Sequence, residues 1–92
     1  MKAIVPSHSF SYDGATLNIY YANAGEGLPK HEHNYSHATI CLSGECVIRK
    51  EGKEKRIDKN SGAFNLLAKE WHEIEALVDN TVFVNVFSEG KS

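Results

Sequence analysis

The chain has 92 residues, a formal net charge of −2, 41% hydrophobic residues and 24% charged ones, which is one domain's worth of chain with an ordinary globular composition. The charge provides no basic face for nucleic acid, and no apolar run approaches the roughly 18 residues of a membrane span. Met1–Pro6 is too short for a secretory core, because polar Ser7 and His8 follow at once, so a cytoplasmic protein with neither nucleic acid nor membrane as partner is expected.

Strand chemistry recurs along the chain. Thr16–Ala22 (TLNIYYA) is rich in aromatic and β-branched residues. Ala24–Lys30 (AGEGLPK) has the composition of a loop. Ala38–Leu42 (ATICL) and Cys46–Arg49 (CVIR) flank a Ser43-Gly44 turn, and Glu51-Gly52 separates the second of these from the charged stretch Lys53–Asp58. Ala63–Ala68 follows the turn formers Lys59–Gly62, and Thr81–Phe87 (TVFVNVF) follows Asp79-Asn80. Helix candidates such as Lys69–Leu77 are short and lack an N-cap with a sustained apolar rhythm. Short strands punctuated by turns about every eight to twelve residues predict an all-β sandwich or barrel. Arg49–Lys59 mixes six basic with three acidic residues, the pattern of a solvated hairpin edge guarded against edge-to-edge pairing. Cys41 and Cys46, five positions apart, fit neither a CxxC redox pair nor a zinc ribbon and read as buried thiols.

Histidine carries the chemistry. Of five histidines, His31, His33 and His37 fall within seven positions. On a strand His31 and His33 share a face, with Cα atoms about 7 Å apart, and both rings can reach one ion. His37 would lie about 13 Å beyond His33 on a straight strand, so it can join them only if Asn34-Tyr35-Ser36 bends the chain back. His72 stands among residues whose alternation puts His72, Ile74 and Ala76 inward and Glu73 and Glu75 outward. Glu32 is also outward by parity. A lone inward histidine is usually a hydrogen-bonded core residue; four together point to a divalent metal. His8 belongs to no such group and reads as a surface or interface histidine. Tyr35 and Trp71 are candidate pocket walls.

These residues carry a resemblance. Gly25-x5-His31-x-His33-x3-His37-x6-Gly44 resembles the first motif of the cupin superfamily, residue spacing for residue spacing, with His37 where the family usually has Glu. Gly62 to Ala76 resembles the second motif in part: His72 takes its histidine position, the interval is one residue shorter, and the proline, second glycine and asparagine are absent. The resemblance spans 25–76 and implies a single small jelly-roll-like cupin barrel over residues 1–92. It also implies a divalent metal held by His31, His33, His37 and His72, with iron or manganese ahead of nickel or zinc. The activity it implies is that of a metal-dependent dioxygenase or related enzyme on a small molecule; four neutral imidazoles, which leave a divalent ion its full charge, favour an anionic one. The alternatives are a non-catalytic module that binds or senses a small ligand or metal, and a structural metal site.

Thr81–Phe87 has Val82, Val84 and Val86 on one face and Phe83 and Phe87 on the other, with Asn85 the polar exception. A strand apolar on both faces needs cover on both, which in so short a chain predicts a homodimer in which a sheet face or an N-terminal strand covers it.

Overall fold

The computed structural model describes residues 1–32 and 34–88. These form strands only: β1 (Lys2–Ala3), β2 (His8–Tyr12), β3 (Ala15–Ala22), β4 (Glu26–His31), β5 (His37–Ser43), β6 (Glu45–Lys50), β7 (Lys53–Asp58), β8 (Ala63–Leu66), β9 (His72–Ala76) and β10 (Thr81–Ser88). One five-stranded sheet has the order β1-β4-β9-β6-β7 and the other β2-β3-β10-β5-β8. All neighbours are antiparallel except β1 and β4. The two sheets face each other as a jelly roll, the all-β architecture expected. No helix among the described residues is long and apolar enough to cross a membrane.

The six strands read from composition all form, within a residue or two of the expected ends. Ala24–Lys30 needs correction: most of it is β4 rather than loop. Gly27 was misleading because its role is packing, not turning. A Cβ at that position would run into the backbone carbonyl of Ile74, so glycine is what lets β4 lie against β9. The helix candidate Lys69–Leu77 instead holds a turn with Lys69 at φ +67°, followed by β9.

The core lies between the sheets. Phe83 stacks on Tyr20 with centroids 4.8 Å apart, and Ile48, Ile57, Leu66 and Ile74 are fully buried around them. Cys41 and Cys46 are buried there too, as expected, with their sulfurs 4.0 Å apart. Burial pushes both thiols up from their ordinary value.

The outer faces differ sharply. On the β9 side, Glu73 and Glu75 point outward, and Arg49 donates to both at 2.8 Å and to Glu54 at 3.1 Å. These bonds hold the Arg49 guanidinium above its ordinary value. On the β10 side, Val84 lies directly opposite Ile19 of β3 and Ile40 of β5, and Val86 opposite Leu17 and Ala38. Directly opposite residues share a face, so this outer face is apolar across three strands.

Candidate metal centre

Three strands deliver histidines to one end of the space between the sheets. His31 ends β4, and His72 begins β9 directly opposite it. One extra residue is accommodated on β4 between Leu28 and His31. Without that bulge, strict alternation would put His31 on the face opposite Leu28; with it, both face inward. Pro29 sits within the irregularity, where its missing N–H is tolerated. The chain then bends at Asn34 and Tyr35, the bend the sequence required, and His37 opens β5. His33 lies outside the described residues.

His37 and His72 are 5% and 1% exposed, and their Nε2 atoms are 3.3 Å apart. The rings of His31 and His72 meet edge to face with centroids 4.4 Å apart. The Nδ1 of His31 lies 2.7 Å from the Pro29 carbonyl oxygen and that of His72 lies 3.2 Å from the Glu70 carbonyl. A carbonyl only accepts, so both Nδ1 atoms carry the proton and Nε2 is the basic nitrogen. For His37 the hydroxyl of Thr39 plays the same part. It donates its one hydrogen to Asn85 Oδ1 at 2.7 Å and accepts from His37 Nδ1 at 3.5 Å. Two ligands of one ion with bonds of about 2.0–2.1 Å, at 90° to tetrahedral angles, have nitrogens about 2.9–3.4 Å apart. The His37–His72 spacing falls in that range. Among the described residues no set of three His, Cys, Asp or Glu side chains closes on one point; the pair that converges is His37 and His72, with His31 packed against it.

A cavity of about 310 Å³ opens beside the imidazoles, lined by His31, His37, Tyr20, Tyr35, Asn18 and Asn85 among others. Burial raises the Tyr35 phenol above its ordinary value. It raises Tyr20 as well, against the lowering effect of a hydrogen bond from Asn18. Both phenols therefore stay protonated at neutral pH. Of the two expected wall residues, Tyr35 lines this cavity. Trp71 does not; Lys30 Nζ lies over its ring, 4.5 Å from the centroid. Glu32 is exposed, as parity indicated, and so is His8, whose ring meets that of Tyr21 at 5.5 Å. Asn18, Thr39 and Asn85 were not singled out as site residues. The available clue was Asn85, which stands between Phe83 and Phe87 on the inward side of β10.

Two opposed five-stranded sheets with histidines from β4, β5 and β9 gathered at one end define a cupin-type double-stranded β-helix. Solved structures share it. KdgF from Halomonas sp. superposes with a TM-score of 0.81 at 16% identity, over 92% of this chain and 78% of that one. A cupin superfamily protein from Desulfitobacterium hafniense DCB-2 gives 0.71 at 13% identity, over 90% and 79%. A cupin protein from Bacteroides fragilis gives 0.68 at 22% identity, over 86% and 70%. No protein-family model and no curated protein matches the chain. The chain has the cupin fold.

Proposed function

We propose that this cupin holds a divalent metal through His31, His33, His37 and His72 and acts there on a small anionic molecule. The observation that carries this reading is the 3.3 Å spacing of the His37 and His72 Nε2 atoms, with the opposite nitrogen of each ring committed to an acceptor. Such second bonds fix the tautomer and aim of ligating imidazoles. Imidazole donors suit iron, zinc, copper and nickel, and the cupin resemblance puts iron or manganese first. A bound ion of this kind supplies Lewis acidity and, for iron or manganese, the redox capacity a dioxygenase needs. Four neutral imidazoles offset none of a divalent charge, which favours an anionic ligand.

A non-catalytic binding or sensing module is the second reading. It is favoured by the cavity wall, whose described residues include no carboxylate or lysine to serve as a proton acceptor. Protein purified without added metal, analysed for its elements, tests the metal reading. About one ion per chain is expected in the wild type and a small fraction of that in His72→Ala, with the β-sheet circular dichroism unchanged. Equal metal in both proteins would refute the assignment.

We also propose that the apolar outer face of the β2-β3-β10-β5-β8 sheet packs on a second copy. Phe10 and Tyr21, 49% and 55% exposed, extend the Leu17, Ile19, Val84 and Val86 surface. The opposite sheet covers its outside with ion pairs, as a solvated face does. A groove of about 520 Å³ adjoins the face at Ala38 and Val86, and its lining also includes Leu67, Asn65 and His37. Five strands about 4.8 Å apart and up to about 26 Å long present roughly 600 Å² before side-chain relief. That approaches the roughly 800 Å² per partner of a standard interface.

A further inference from the structure

Asn85 of β10 lies directly opposite Asn18 on β3 and Thr39 on β5. One polar row therefore crosses three adjacent strands on the inner side of the sheet, between the stacked Tyr20 and Phe83 and the end that carries His37. Burying a carboxamide is costly unless its groups find partners, and Asn85 is only 6% exposed. The oxygens of the row are already used. Asn18 Oδ1 accepts from the Ser9 hydroxyl at 2.6 Å, and Asn85 Oδ1 accepts from Thr39 at 2.7 Å. Each of these oxygens keeps a second lone pair, but each already accepts one bond, and it is the N–H side of Asn85 that still needs a partner. The Asn85 amide nitrogen has no acceptor among the described residues, although the side chain is more than nine-tenths buried and lines the cavity with His31 and His37.

We infer that Asn85 is the specificity-determining residue of this cavity, and that its Nδ2 donates to an oxygen of a small hydroxy or keto acid whose carboxylate end lies at the imidazole cluster. This deepens the metal-centred reading and rests on it. The described wall contributes hydrogen-bond donors and aromatic surface but no carboxylate, so it suits a molecule rich in acceptor oxygens and offers a cationic one no counter-charge. At roughly 30 Å³ per water-sized volume, the cavity holds a ligand of about ten non-hydrogen atoms.

The test is calorimetric titration of manganese-loaded protein, with metal per chain measured separately by elemental analysis. Pyruvate, malate and 2-oxoglutarate are compared with malamide, which lacks charge, and with 1,4-diaminobutane. At least one of the three acids is expected to bind, about tenfold or more tighter than malamide, with no heat from the diamine. Asn85→Asp exchanges the donor for a charged acceptor and should weaken that acid about tenfold or more, leaving metal per chain unchanged. If the aspartate variant fails to fold, the ligand series on the wild type still decides the matter, and Asn18→Asp tests the same row at a less buried position. Metal bound without any acid binding, malamide binding as well as the acids, or an Asn85→Asp affinity within about twofold of wild type overturns this inference alone. A wild type that takes up no metal overturns the metal-centred reading, and this inference falls with it.

Discussion

The Thr39 hydroxyl donates to Asn85 at 2.7 Å, and that commitment is what leaves its lone pairs facing the Nδ1 of His37. Thr39→Val keeps the shape and removes both bonds. Loss of a group that orients a ligating imidazole typically costs 10–100-fold in metal affinity, so chelator competition should show a fall of about that size. Thr39→Ser should recover most of it. A valine variant with wild-type affinity would show that the hydroxyl does not hold the ring.

Gly27→Ala should damage stability and site together. The added methyl meets the Ile74 carbonyl and the Glu75 backbone, which can only be relieved by moving β4 off β9. Overpacking of this kind costs about 1–3 kcal/mol, measurable by denaturant titration. Because the same two strands pair His31 with His72, metal affinity should fall as well. Phe83→Ala, a core truncation worth about 3–5 kcal/mol, should lower stability while affecting metal affinity less.

Cys41 and Cys46 should make stability fall in alkali. Their folded thiols titrate above the ordinary value of 9.0, so near and above that pH the unfolded chain loses protons that the folded chain keeps. A raised folded value means the contribution is complete below the unfolded value and shrinks as pH climbs toward the folded one. Thermal melts from pH 7 to pH 10 should therefore slope downward, and a Cys41→Ala/Cys46→Ala variant should slope less. Identical slopes would remove the thiols from the account. Neither sulfur should react with an aqueous alkylating reagent until the chain unfolds.

The outer β10 face predicts a dimeric mass at micromolar concentration. Phe10→Lys combined with Tyr21→Lys places two charges on exposed positions of that face and should shift the protein to monomer with its circular dichroism intact. A wild type that is monomeric in the same range would refute the second-copy proposal.

Much of this architecture could be read in advance, for identifiable reasons. Thr81–Phe87 and Thr16–Ala22 announced themselves because β-branched and aromatic residues dominate them. The alternation His72-Glu73-Ile74-Glu75-Ala76 gave the correct facing of every member, since β9 is regular. β4 was hidden because its glycine and proline are turn formers by composition, while here one serves a close strand crossing and the other a bulge. That bulge also decides which way His31 faces, and a strict two-residue period has no means of anticipating an inserted residue. The alternation of Ser9 and Ser11 with Phe10 and Tyr12 in β2 is a strand signal that marks no buried face, because every position is exposed. The polar row escaped notice because its members are 21, 46 and 67 positions apart (Asn18 to Thr39, Thr39 to Asn85, Asn18 to Asn85) and are neighbours only through strand register.

Trp71 is the one tryptophan of the chain. It immediately precedes His72, and the Lys30 ammonium that rests on its ring stands next to His31. The indole is thus tied by sequence to one histidine and by contact to the neighbour of another, which equips the protein with an intrinsic optical reporter. Events at the imidazoles can be followed as emission changes from a single fluorophore, without a label.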